Sequence, residues 1–213
     1  MNRNYLLIVA FLSFAIMLAC SENTEQKASD SKQEVSESEL KEVEHKDFGD
    51  LEKYREQGNE IVARTFSTLS SNLQKAMKEG GVTYALEFCN VQAYPLTDSI
   101  ADLHNVSIKR TSHKVRNPDN KPNDEERQML DEFLTTLKNH GEYPEPEVHK
   151  SGNKIHFYAP ITLAPQCTSC HGKVGEQISE ENYDVIKELY PDDEATGFKP
   201  GEIRGMWSLT FNQ

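Results

Sequence analysis

The chain is short of positive charge. Its 23 lysines and arginines face 35 aspartates and glutamates, a net charge of −12. Nucleic acid and anionic membrane surfaces are bound through basic patches, so neither is expected as a partner. Long apolar runs are missing too, apart from one near the N-terminus between Tyr5 and Leu18, which is too short to span a bilayer comfortably. No internal repeat is present. Cysteine is scarce, at four residues: Cys20, Cys89, Cys167 and Cys170. Only the last two form a CxxC pair, which disfavours a structural zinc site, since such sites usually draw their four or so ligands from two pairs. At 213 residues the chain suits one ordinary domain plus appendages.

What is present begins with a leader. "MNRNYLLIVAFLSFAIMLAC" has a basic start at Arg3, an apolar stretch and a small residue before Cys20, followed by the polar "SENTEQ". This pattern is similar to a bacterial lipoprotein signal, with residues 1–19 removed and Cys20 lipidated. Acyl chains there would anchor the protein to a membrane, each buried methylene contributing about 0.8 kcal/mol. The expected location is therefore extracytoplasmic and membrane-anchored. Residues 20–47 are rich in Ser, Glu, Lys and Gln, with Val35, Leu40 and Val43 as their larger aliphatics. Such a segment buries too little apolar surface to offset its ordering entropy, and is expected to be a disordered tether.

The folded domain is expected over 48–213. Leu51, Tyr54, Ile61, Val62, Phe66, Leu69, Leu73, Ala76 and Met77 recur at helical spacing, and Gly80-Gly81 supplies a stop. A second helix runs through "VTYALEFCNVQA", Pro95 is expected to break it, and "LTDSIADLH" reads as a short further helix. "VSIKRTSH" alternates as a strand, and "RNPDNKP" is a loop. Asn123 and Glu126 form a capping box for a helix whose buried stripe is Leu130, Phe133, Leu134 and Leu137, with Gly141 ending it. A hairpin spans "PEVHKSGNKIHFYAPI", a last helix "SEENYDVIKELYP", and a last strand "GEIRGMWSLTF", whose Trp207 and Phe211 read as core. This order suits antiparallel α+β better than βαβ winding.

Directly after the hairpin stands "CTSCHG", residues 167–172. In secreted proteins C-x-x-C-H attaches haem c. Both thiols add across the haem vinyl groups and become thioethers, and the adjacent histidine is held beneath the iron. Cys167 and Cys170 are thus the expected attachment points and His171 the proximal ligand. A thioredoxin-like dithiol would sit at a helix start after a strand, which the preceding Pro165-Gln166 does not suggest. A plain disulfide is the remaining alternative. A single motif implies a single haem.

Residue type leaves the other axial position open. Methionine or histidine is the usual partner, which admits Met77, Met129 and Met206 as well as His104, His113, His140, His149 and His156. Cys89 is a further candidate, its plain role being that of a small buried hydrophobe. If Cys20 carries lipid and the CxxC pair carries haem, Cys89 is an unpaired thiol in an oxidising compartment.

"FCNVQA", "IKRTSHKVRNPDNKPNDEE", "PITLAPQCTSCHG" and "YPDDEATGFKPGEIRGMWSLTF", in this order, resemble a family of secreted c-haem domains catalogued as of unknown function. Its members stand alone or form the sensing part of bacterial histidine kinases and chemoreceptors. The resemblance covers roughly residues 50–213 and implies a PAS-like fold, a central antiparallel sheet flanked by helices, with one covalent haem. It also implies an axial pair of the motif histidine, His171, and a cysteine from an upstream helix, here Cys89. His113 stands where an aliphatic residue is expected, and is the alternative ligand. Haem propionates take cationic or amide partners, so Arg110, Arg116 and Asn117 are candidate contacts.

These readings converge on a redox-active, lipid-anchored monohaem c protein. Electron transfer with an unidentified redox partner is favoured. A haem-based redox or gas sensor is the alternative and, since the chain closes at Gln213 with no transmitter domain, would act through a separate signalling partner. A haem enzyme of the peroxidase or reductase type ranks last, because an iron with two protein ligands has no open position and no catalytic pair is recognisable.

Overall fold

The computed structural model describes residues 37–212, with side chains from residue 51 onward. The leader 1–19, the lipid site Cys20 and the tether as far as residue 36 lie outside the described residues. Helix α1 (Glu37–His104) therefore begins within the segment read as tether. It is followed by β1 (Val106–Thr111), α2 (Asp124–His140), β2 (Glu147–Ser151) and β3 (Lys154–Thr162). The one-turn α3 (Thr168–His171), α4 (Glu180–Leu189) and β4 (Ile203–Phe211) complete the order. The strands form one antiparallel sheet in the order β1-β4-β3-β2. This is the α+β arrangement expected, consistent with a PAS-like fold.

Alternation along the strands sorts their side chains onto two faces. Ile155, Phe157 and Ala159 of β3 and Trp207, Leu209 and Phe211 of β4 meet Ile61 and Ile100 of α1, with Tyr54, Val62 and Leu69 packed at the margin. The other face presents Tyr158 and Met206 to Met129, Leu130 and Phe133 of α2. The α2 stripe is that of the sequence reading except Leu134, which is exposed. Helix α2 starts and stops as its sequence dictates. The Asn123–Glu126 capping box is fully formed, and Gly141 closes the helix at φ 70° with its N–H donating to the Leu137 carbonyl.

The expected stop at Gly80-Gly81 is a sharp bend. Both glycines leave helical geometry, Gly80 at φ −151°, ψ 19° and Gly81 at φ 70°, ψ −160°, and α1 resumes at once in a second arm. Pro95 does not break that arm, contrary to expectation, and "LTDSIADLH" continues the same helix. The ring costs the helix its bond to the Val91 carbonyl. Val91 is exposed, and Thr97, two residues after the proline, adds a side-chain bond from Oγ1 to the Ala93 carbonyl at 2.7 Å.

Two outcomes test this packing. A Cβ at Gly58 would stand 2.4 Å from ring atoms of the fully buried Phe157. Gly58→Val is therefore expected to cost about 1–3 kcal/mol by overpacking, read by urea unfolding; an unchanged midpoint would contradict the α1–sheet contact. Tyr158 is pushed up to about 12, by burial first and then by Glu125 and Glu126. A phenol raised in the folded state keeps its contribution below the ordinary tyrosine value near 10 and loses it as pH rises towards 12. Tyr158→Phe should flatten the loss of stability in that window, and an identical alkaline profile for the variant would count against the burial.

Candidate functional site

The second arm of α1 carries Cys89, and its packing decides where that thiol goes. Leu86, one turn earlier, is buried with Ile178 and Ile186, and Cys170, Val174, Tyr183 and Leu189 pack against this cluster. The arm thus lies against α3, α4 and the loop between them. Cys89 is close enough to raise the pKa of the Cys170 thiol, which is set first by burial, and Cys167 acts on Cys170 in the same direction. No disulfide joins Cys89, Cys167 and Cys170 in this structure. Residues eighty positions apart in the chain share one pocket of charge.

His171 closes the one-turn helix α3. Its Nδ1 lies 2.8 Å from the Ala195 carbonyl, which can only accept, so Nδ1 bears the proton and Nε2 is left as the free ligand atom. Arg204 Nε stands 3.3 Å from the same Nδ1 as a second donor and makes no good bond there. Burial first, then Arg204 and Arg116, hold the imidazole well below the usual histidine range, so the ring is neutral. Neutral imidazole with Nδ1–H tied to a backbone carbonyl is the form that ligates a metal.

The loop after α4 fixes this arrangement. Phe198 N–H donates to the His171 carbonyl at 2.9 Å, and Gly197 N–H to the Gly172 carbonyl at 2.7 Å. Gly172 has no room for a side chain, because a Cβ would stand 2.6 Å from the Thr168 carbonyl and 2.7 Å from Gln177 Cβ. Glycine follows the histidine here for close approach.

Arginines surround the thiols and the imidazole. Arg110 in β1 stacks over Trp207 at 6.0 Å and acts on Cys89, Tyr94, Tyr190 and His171. It forms no hydrogen bond or ion pair with any described residue, and burial lowers its pKa. Arg116 pairs with Asp193 at 2.9 Å, donates from Nη2 to the Cys170 carbonyl at 2.6 Å and covers the Tyr190 ring. Arg204 in β4 stacks on Phe198 at 5.0 Å, its pKa lowered to about 10 by burial first and then by Arg116. For Cys89, burial raises the thiol pKa while Arg110 and Arg116 pull it back.

Among the described residues, the Tyr94 hydroxyl, Asp193 Oδ2 and His104 Nε2 are buried without a hydrogen-bond partner, the last at the C-terminal end of α1. An unpartnered guanidinium beside an orphaned hydroxyl is the mark of a site that expects a polar, anionic ligand.

Other candidates from the sequence lie elsewhere. Met129 and Met206 are buried in the core on the α2 face of the sheet, opposite the face that bears Arg110. His113 points to α2, its Nε2 2.9 Å from Asp131 Oδ1. Asn117 accepts from Asp119 N–H and caps a short 3-10 turn at Pro118–Asn120, so its carbonyl oxygen has a structural task. Arg204, Asp193, Tyr94 and Tyr190 went unread in the sequence. An arginine inside an otherwise buried closing strand was the one signal that pointed to any of them.

Comparison with known proteins agrees with this architecture. A family model described as Tll0287-like matches residues 22–212. No curated protein matches. Among solved structures, one described as the crystal structure of the cyanobacterial heme-protein Tll0287 superposes with a TM-score of 0.57 at 22% identity, covering 76% of this chain and 96% of that one. At that identity the superposition speaks for the fold, and the family assignment rests on the near-complete match of the family model. The chain belongs to the Tll0287-like family.

Proposed function

We propose that this chain carries one haem c, bound through Cys167 and Cys170 with His171 and Cys89 as its axial ligands, and that it serves electron transfer outside the cytoplasm. The observation that carries this reading is the convergence of Cys89 with the CxxCH motif inside a ring of arginines. A haem protein as structural neighbour adds support. The residues fit the group in charge as well as in ligand type. Arg110, Arg116 and Arg204 act on the site, with Asp193 as the carboxylate among them. That leaves two positive charges uncompensated, and haem brings two propionates. Arg110, with no acceptor of its own, is the first candidate to receive one, and the orphaned Tyr94 hydroxyl the second contact.

When bound, the haem supplies one-electron chemistry between ferric and ferrous iron. Each protein group then has a defined task. The Ala195 carbonyl holds His171 Nδ1–H and so aims Nε2. Arg110 and Arg116 favour the thiolate form of Cys89 against the cost of its burial. An anionic sulfur ligand favours ferric iron, so the potential is expected to be negative. The lipoprotein signal supports a tether to the membrane through Cys20, from which the domain would meet its redox partner.

The spectrum of the purified protein tests this reading. The ferric form should show a low-spin, thiolate-type absorption that Cys89→Ala changes while haem is retained. A variant with an unaltered spectrum would remove Cys89 from the iron. Haem that cycles between redox states without taking up carbon monoxide supports electron transfer, whereas rapid carbon monoxide binding to the ferrous form would favour gas sensing.

A further inference from the structure

The loop between α4 and β4 contains a carboxylate that touches neither proposed iron ligand and yet is linked through bonded neighbours to both Cys170 and His171 of the haem motif. The Asp193 side chain is fully buried. Its Oδ1 accepts from Arg116 Nε at 2.9 Å and from Ala195 N–H at 3.1 Å. Ala195 in turn gives its carbonyl to His171 Nδ1 at 2.8 Å, and Arg116 Nη2 reaches the carbonyl of Cys170 at 2.6 Å. Since Cys170 and His171 are consecutive, these bonds close a ring: Arg116, Asp193, Ala195, His171, Cys170 and back to Arg116. The backbone bond from Glu194 N–H to the Val115 carbonyl at 2.9 Å ties the two loops together beside it.

We propose that Asp193 is a positioning residue for His171 and that, paired with Arg116, it sets the reduction potential of the haem as a buried counter-charge. This rests on the haem reading above. The geometric half follows from the ring. The orientation of the imidazole depends on the Ala195 carbonyl, whose peptide is held by Asp193, and hydrogen-bonded neighbours of this kind govern how a histidine ligates. The electrostatic half follows from burial. Charges shielded from water are screened less than exposed ones and so act more strongly on a nearby redox centre. Asp193 is the carboxylate that acts on Arg204, in a cluster otherwise built of guanidiniums. Removing its charge makes the surroundings of the iron more positive and favours the ferrous state. Removing the charge of Arg116 does the reverse.

Asp193→Asn keeps an acceptor oxygen for Arg116 and Ala195 and changes the charge, whereas Arg116→Gln removes the charge, keeps a donor near Asp193 and gives up the bond to the Cys170 carbonyl. In the haem-loaded protein, Asp193→Asn is expected to shift the ferric–ferrous equilibrium at least tenfold towards ferrous, about 59 mV upwards for one electron. Arg116→Gln is expected to shift it downwards. A general loosening of the loop would admit water and move both variants in the same direction, so opposite signs separate a charge effect from simple damage. Circular dichroism and the covalent haem content verify that each variant is folded and loaded. Midpoints that move together, or stay within threefold of the unmodified protein, overturn the proposal. Should Asp193→Asn not accumulate, Arg116→Gln decides: a fall supports it, and no change or a rise overturns it. An unmodified protein that carries no haem would instead refute the reading beneath it.

Discussion

Gly81 holds φ 70° and ψ −160°, a backbone state that only glycine adopts readily, and the two arms of α1 take different partners on either side of it. The first arm spreads Tyr54, Ile61 and Leu69 over one face of the sheet. The second returns Ile100 to that core and presses Leu86 against α4. A straight helix of this length would run far past a four-stranded sheet. The bend is what brings Cys89 back to a motif that lies some eighty residues later in the chain. The glycine pair therefore contributes to the site without touching it.

The same architecture separates two kinds of polar interaction. On the α2 side, charges are satisfied locally: Glu126 accepts from Lys109 at 2.8 Å and closes the capping box of its own helix. On the α1 side, Arg110 is unpaired, the Tyr94 hydroxyl has no partner, and one carboxylate, Asp193, sits among several arginines. A fold that satisfies its polar groups on one face and leaves them waiting on the other is organised around a ligand on the second. Under the haem proposal, the stability forgone by burying these groups would be recovered by pairing with the anionic groups of the haem.

Much of this was legible in the sequence because it is local. The Asn123–Glu126 cap, the Gly141 stop, the hairpin and the closing strand follow from neighbours a few residues apart, as does the CxxCH motif. The role of Pro95 was misread because its cost depends on where the lost bond points, and an exposed turn tolerates it. Cys89 could be singled out by cysteine arithmetic and family resemblance, since no local pattern marks it. Asp193 was invisible, and Arg204 was marked only by its place in an otherwise apolar closing strand. An acidic loop and a strand arginine look like solvated surface until the fold buries them, and burial of a charge is a property of tertiary structure alone. The arginines were half legible for the same reason: Arg110 and Arg116 drew notice by lying near a basic loop, while their different fates, one unpaired and one locked to Asp193, depend on segments eighty residues further on.

The central claim is that the haem is held by thioether bonds at "CTSCHG". Mass spectrometry of proteolytic fragments, after extraction of the protein with acidified acetone, tests it most directly. The account predicts that haem survives extraction and resides on the peptide containing Cys167 and Cys170, with Cys89 recovered as an alkylatable thiol. Haem lost to the solvent, or Cys167 and Cys170 recovered as alkylated thiols from haem-loaded protein, would contradict it.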